Sequence, residues 1–226
     1  MSVSATSEYP CVTIESDLLA AVPRPERGYE VRRRIADIVI SCCCLLAVLP
    51  LCAVVAVAIV ITSPGSVLFR QRRIGRYGRP FTLYKFRTMY RDAEERRADL
   101  ALHNESSGPL FKIRRDPRIT GAGRLLRRTS LDELPQLLNV IRGDMALVGP
   151  RPALPGEVAQ YTGQQRLRLA VMPGLTGLWQ VCGRADLPFE RSIELDLEYI
   201  RRRSTRFDAA ILLRTVPAVI SGRGAY

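Results

Sequence analysis

The residues best equipped for chemistry lie together mid-chain: Asp132 and Glu133 stand side by side, shortly after Arg124, Arg127 and Arg128. Leu134, Leu137, Leu138 and Ile141 follow at i, i+3, i+4 and i+7, the spacing of one buried helix face. That spacing predicts an amphipathic helix with the carboxylate pair in its opening turn. Ser130 and Glu133 fit a capping box, Gly143 fits the C-terminal stop, and Pro135 is tolerated only near a helix start. A helix N-terminus presents free N–H groups and partial positive charge, to which the arginines add full charges. The pattern reads as an anion site that also contains a nucleophile. A capped surface helix with i,i+4 ion pairs is the competing reading, and this window alone does not separate the two.

Composition narrows the partners. The net charge of +12, carried almost wholly by arginine, implies nucleic acid, an anionic membrane surface or a phosphorylated substrate. A nucleic-acid binder needs neither an acidic pair beside its arginines nor glycine–proline punctuation, and aromatic stacking platforms are few, so no nucleic-acid partner is expected. A single histidine, His103, argues against a histidine-based triad and excludes a His-rich metal cage; it reads as a surface residue. Cys42, Cys43, Cys44 and Cys52 lie within an apolar run, Cys11 and Cys182 are scattered, and there is no CxxC pair, so neither a disulfide framework nor structural zinc is expected.

The elements that must position the pair begin with a membrane segment. Residues 1–30 are polar and mixed, unlike a cleavable signal peptide, and read as a loose leader. From Ile38 to Pro64 there is no charged residue, a run longer than the roughly 20 residues that cross a bilayer as a helix. Two features argue against a simple span. Arg24, Arg27, Arg32, Arg33 and Arg34 precede the run and Arg70, Arg72, Arg73, Arg76 and Arg79 follow it, so the positive-inside rule wants both ends on the cytoplasmic side. Pro50, near the middle, removes a helix hydrogen bond and leaves two arms of roughly 18 Å each. A helix that enters, breaks at Pro50 and leaves on the same face satisfies both; a kinked bitopic span is the alternative. Asp37 opens the apolar run and is expected to pair with Arg33 or Arg34 near the headgroups.

Beyond the membrane segment, Val67–Phe69 and Phe81–Tyr84 read as short strands joined by a basic, glycine-bearing turn. Lys85-Phe86-Arg87-Thr88-Met89 alternates cationic and apolar residues, either as a phosphate clamp or as an edge strand with solvated charges. Asp92 to Leu102 reads as a charged helix and Pro155 to Ala170 as helical. Pro173 to Gly177 reads as a tight turn, Leu178 to Val181 as a strand, and Phe189 to Arg203 as a helix. Phe207 to Ile220 is apolar but interrupted by Arg214 and Pro217, as in an interfacial helix lying in the headgroup layer.

Taken in order, these motifs form a family pattern over roughly Val31 to Tyr226: Arg33-Arg34-x-x-Asp37, Gly65-x-Val67-x-Phe69-x-Gln71-x-Arg73-x-Gly75, Tyr84 to Met89, Ser130-Leu131-Asp132-Glu133-Leu134, Gly143-Asp144-Met145, Val148 to Pro152 and Pro173 to Gly177. The chain resembles the bacterial sugar transferases, polyprenyl-phosphate phosphoglycosyl transferases of the small monotopic type. Leu49 stands where a serine often precedes the membrane proline in that family.

The resemblance implies a mainly α fold with a small β component. It implies a monotopic membrane protein with a proline-broken re-entrant helix, interfacial amphipathic helices and a compact cytosolic catalytic domain. The expected division is residues 1–30 as leader, 31–64 as re-entrant anchor and 65–226 as catalytic domain, on the cytoplasmic face of the bacterial inner membrane. The longer members' extra transmembrane helices are not expected.

The implied reaction moves a sugar-1-phosphate from a UDP-sugar to polyprenyl phosphate and releases UMP. Asp132 would be the nucleophile, Glu133 would help position the metal or the acceptor phosphate, and Mg2+ is the expected cofactor, held by both. An anion attacking an anionic diphosphate needs concentrated positive charge, for which Lys85, Arg87, Arg127, Arg151 and Arg184 are the candidates. Asp196 is a further candidate, with a structural ion pair as its alternative. Membrane lipids are expected partners, and self-association is left open.

Overall fold

The charge-free run folds as helix α1 (Tyr29–Thr62), 34 residues with Pro50 inside it, in a computed structural model that describes residues 20, 22–100, 102, 104–105, 113, 115–222 and 224. The expected break is absent as an interruption: helical structure continues through Pro50. α1 is apolar and long enough to cross a membrane, and its apolar surface is largely uncovered, with Leu46 at 73% and Ile61 at 76% exposure. Its two ends are covered. Tyr29, Arg33 and Asp37 are buried at the first end and Val55 and Ile59 at the second.

A β-hairpin follows, β1 (Leu68–Ile74) against β2 (Pro80–Phe86), antiparallel with Leu68 opposite Phe86 and Ile74 opposite Pro80. The next segment corrects the sequence reading. Residues 92–100 form turns and a single 3-10 turn at Glu95–Arg97 rather than a charged helix, and His103 lies outside the described residues. Only Ala93 of residues 91–96 is buried, so this segment has no apolar stripe to hold a helix against the core.

Helix α2 (Gly121–Arg128) is capped by Thr120, whose Oγ1 accepts from the Gly123 amide at 2.9 Å. A 3-10 turn at Leu131–Glu133 and helix α3 (Gln136–Arg142) then carry the carboxylate pair and the core face behind it. Gly143 ends α3 in the left-handed region at φ 90°, as expected, donating to the Asn139 and Val140 carbonyls.

β3 (Ala146–Val148) pairs in parallel with β4 (Gly174–Thr176), so the stretch read as a tight turn is a strand. The backbones approach so closely that a Cβ on Gly174 would overlap the Gly149 amide. Residues 155–170 are helical in pieces: α4 (Pro155–Val158), α5 (Gly163–Arg166) and a 3-10 turn at Leu167–Ala170. The stretch read as a strand is helix α6 (Leu178–Cys182), because the Gly177 carbonyl accepts from the Gln180 and Val181 amides and starts a turn. Helices α7 (Phe189–Arg202) and α8 (Thr205–Ser221) close the fold close to their expected bounds.

The fold is mainly helical with little sheet. Its core joins the hairpin, α3, β3, α7 and α8 through Leu83, Val140, Met145, Tyr199 and Ile211. The expected Arg33–Asp37 pair exists, at 3.9 Å, and it is buried against the globular body: Asp37 Oδ1 accepts from the Leu147 amide at 3.0 Å. Arg33 and Tyr199 both donate to the Val148 carbonyl, and Asp208 accepts from Tyr29 at 2.7 Å and Tyr199 at 2.9 Å. These bonds fasten α1, α7 and α8 to β3.

Candidate active site

The carboxylate pair sits just outside the helix proper. Pro135 has no amide hydrogen to give to the Leu131 carbonyl, so the α-helical ladder begins at Gln136 and the pair occupies the 3-10 turn before it. Ser130 is left-handed at φ 56° and its side chain makes no capping bond, which overturns the capping-box expectation. The turn instead aims the two carboxylates differently. Asp132 is buried and Glu133 is half-buried.

Lys85 reaches this turn from the end of β2, its Nζ 2.7 Å from Glu133 Oε1. Asn139, wholly buried on α3, fixes the relation between strand and helix: it donates to the Thr82 carbonyl at 2.7 Å and accepts from the Tyr84 amide at 3.1 Å. Arg127 approaches from α2, donating from Nε to Thr88 Oγ1 at 3.0 Å. α2 can lie this close to Thr88 only because position 123 is glycine; a Cβ there would overlap the Thr88 carbonyl.

Electrostatics divide the pair. Burial pushes the Asp132 carboxyl up to about 6, with the adjacent Glu133 charge adding to the rise and Lys85 and Arg127 opposing it. Burial would raise Glu133 as well, but Lys85 outweighs it with help from Arg184 and Arg151, and Glu133 stays below its ordinary range. Burial lowers Arg127, with Asp132 resisting. Lys85, Arg127, Arg151 and Arg184 thus all act on the pair.

Two expected site residues are engaged elsewhere. The Arg87 guanidinium donates to the Ser63 and Pro64 carbonyls, the latter at 3.4 Å, and so closes the end of α1. Asp196, fully buried, pairs with Arg168 at 2.6 Å, and burial raises its carboxyl to about 6 against the Arg168 charge. Arg151 lies 3.5 Å from Glu157 Oε1 at the rim of this second cluster. Sequence reasoning missed Asn139, Thr88, Arg73 and Arg168 as supports of the site. An asparagine on an otherwise apolar helix stretch was the one visible signal.

No group of three His, Cys, Asp or Glu side chains that could hold a metal occurs among the described residues. Asp132 and Glu133 offer hard oxygen ligands within the field of Lys85, Arg127, Arg151 and Arg184. That donor set suits a cation whose other positions are filled by phosphate and water.

Residues 28–222 match the model of one family, described as bacterial sugar transferase. The chain belongs to the bacterial sugar transferase family. This transferase is 45% identical over 179 residues to the galactosyl transferase CpsE of Streptococcus agalactiae serotype III, covering 77% of this chain and 40% of that relative. It is 38% identical over 207 residues to the exopolysaccharide production protein ExoY of Sinorhizobium fredii, covering 90% and 91% respectively. It is 40% identical over 215 residues to the UDP-glucose:undecaprenyl-phosphate glucose-1-phosphate transferase of Caulobacter vibrioides, covering 90% and 75%.

Proposed function

We propose that this transferase moves a sugar-1-phosphate from a UDP-sugar to polyprenyl phosphate, releasing UMP and starting the assembly of an exopolysaccharide or capsule. The observation that carries the reading is the division of labour at residues 132 and 133. Glu133 is tied to Lys85, whereas the Asp132 carboxylate has no side-chain partner among the described residues. The names of the Caulobacter and Sinorhizobium relatives support the substrate class and the setting.

In the proposed reaction an Asp132 carboxylate oxygen attacks the phosphorus that bears the sugar. A carboxyl–phosphate bond forms, the bond from that phosphorus to the bridging oxygen breaks, and UMP leaves with that oxygen. An oxygen of polyprenyl phosphate then attacks the same phosphorus, which forms the diphosphate and returns the carboxylate. Lys85 and Arg127 offset the charge that gathers as an anion meets a diphosphate, and Arg151 and Arg184 extend the cationic field beyond Glu133. Asp132 and Glu133 would hold Mg2+, which when bound screens the phosphate charges from the nucleophile.

The acceptor is a lipid, and the placement of α1 suits a monotopic protein on the cytoplasmic face of the inner membrane. Arg34 donates to the Val140 and Ile141 carbonyls at 2.6 and 2.7 Å, while Val55 and Ile59 pack with Phe86 and Leu126. A straight helix would separate Arg34 from Ile59 by about 38 Å. Both ends nevertheless meet the body that carries the pair, which supports a helix bent at Pro50 and re-entrant in the membrane. Exposed Leu213, Val216 and Ile220 on α8 support its place in the interface.

Protein in detergent, given UDP-galactose or UDP-glucose with undecaprenyl phosphate and Mg2+, is expected to release UMP. Release of the free sugar or of UDP in place of UMP rejects the reading.

A further inference from the structure

Arg151 is flanked by Pro150 and Pro152, which have no amide hydrogens, so this loop is rich in carbonyls that need donors. The donors are unusual. Arg168 Nη2 lies 3.4 Å from the Arg151 carbonyl and Arg73 Nη1 lies 2.9 Å from the Pro152 carbonyl. Both guanidiniums are buried. The Arg151 amide itself faces Asp196, and Arg168 is braced by Asp196 at 2.6 Å and by Tyr161 Oη at 2.6 Å. Arg73 is braced by Gln71 Oε1, which accepts from its Nε at 3.0 Å and its Nη2 at 2.6 Å.

Among the described residues Arg73 has no carboxylate partner within ion-pair distance, although burying a charge is costly. Burial holds its guanidinium down at about 9, with the Arg151 charge adding to the fall. A neutral donor would satisfy a carbonyl at lower cost. What a fork adds is direction: Arg73 fixes Gln71 and Pro152 together, and so fixes where the Arg151 side chain leaves the loop.

We propose that Arg73 and Arg168 are positioning residues for Arg151, two buried guanidiniums that grip successive carbonyls of its loop and aim its side chain at the phosphates bound beside Glu133. The assignment rests on the phosphoglycosyl transferase reading of the site. In this assignment neither residue meets substrate. Both act through Arg151, which offsets the charge next to Glu133.

The test is a double-mutant cycle on the full chain in detergent, reading UMP release from UDP-galactose or UDP-glucose with undecaprenyl phosphate. Arg151→Ala and Arg73→Met are each expected to lower kcat/KM by about 30-fold or more, and the double variant to be no worse than Arg151→Ala within about twofold. Losses that multiply overturn the proposal, because a scaffold that serves the whole fold damages the enzyme whether or not Arg151 is present. An Arg73→Met enzyme within about twofold of the parent overturns it as well.

Arg168→Lys keeps a charge for Asp196 but withdraws the fork from the Arg151 carbonyl. It runs the same cycle should Arg73→Met fail to fold, with the same two outcomes. Parent protein that releases no UMP refutes the functional reading instead. Hydrogen exchange over residues 149–154 then decides the positioning assignment without turnover: exchange about tenfold faster in Arg73→Met or Arg168→Lys supports it, and unchanged exchange overturns it.

Discussion

Lys85 Nζ lies 2.7 Å from Glu133 Oε1, and that one contact makes two neighbouring carboxylates unequal. The ammonium outweighs burial at Glu133, which it touches, whereas at Asp132 burial outweighs the same charge. Asp132→Asn is therefore expected to lower kcat by about a thousandfold or more, with no covalent phosphosugar retained on the protein. Glu133→Gln and Lys85→Met are expected to lose less, about 100-fold each, and still to trap label from a UDP-sugar that carries 32P at the sugar-bearing phosphorus. Label on Glu133 in the Asp132→Asn variant would reverse the assignment.

The same inequality sets a pH dependence. Attack needs the ionised carboxylate, and the Asp132 carboxyl titrates at about 6, so kcat/KM is expected to fall as pH drops through that value. Lys85 is the largest charge opposing the rise in Asp132, so Lys85→Met should move the acid limb to higher pH. A limb that stays put in that variant, or one that lies near the ordinary carboxylate range in the parent, contradicts the electrostatics described for the pair.

A nucleophile raised by burial also weakens the fold. The folded carboxyl binds its proton more tightly than the unfolded one, so between about pH 4 and pH 6 the folded state holds more protons and stability declines as pH rises. The cost is complete above about 6. Asp132→Asn removes it and is expected to stabilise the protein by about 1–2 kcal/mol at pH 7.5 and by nothing at pH 4. Denaturant titrations at the two pH values check the sign; an inactive variant less stable at pH 7.5 contradicts it.

Gly123 tests the approach of α2 to the site. Alanine there would drive a Cβ into the Thr88 carbonyl, a backbone group with little room to yield because it also accepts from the Thr120 amide at 3.0 Å. Gly123→Ala is expected to cost about 2–4 kcal/mol and to lower activity further than that loss explains, since Arg127 leaves Thr88 as α2 shifts. Thr88→Val, which removes only the Oγ1 acceptor, should lower kcat with a much smaller change in stability.

The sequence showed the carboxylate pair, its cations and the apolar run because each is written in local residue type and spacing. What it hid were relations between distant segments. Pro173 to Gly177 looks like a turn by glycine and proline content, yet those glycines are small so that β4 can lie against Gly149. Leu178 to Val181 looks like a strand by residue type, but the Gly177 carbonyl recruits it into a helix. Arg87 reads as a phosphate clamp from its place beside Lys85, and only folding shows that its guanidinium donates to the Ser63 and Pro64 carbonyls at the end of α1. Asp196 and Arg168 are 28 residues apart, and only folding shows that they share a cluster with Arg73 around Arg151.

The path of α1 is the remaining relation that experiment can decide directly. Its flanks are both basic, Pro50 lies within it, and its uncovered surface is apolar between two covered ends. Arg32 and Arg70 are exposed and lie on either side of the apolar run, so each can be replaced by cysteine in a background freed of the native thiols. If the helix turns back within the membrane, both cysteines label only after the inner membrane is permeabilised, because Arg34 and Ile59 must meet one globular body on one side. A helix that crosses the bilayer exposes one of the two to an impermeant reagent in intact spheroplasts. It would then have to pull Val55 and Ile59 away from Phe86 and Leu126, at a cost of about 1.5–3 kcal/mol for each large apolar side chain stripped from its neighbours. Labelling on opposite faces would therefore overturn both the re-entrant path and the packing of α1 against the site.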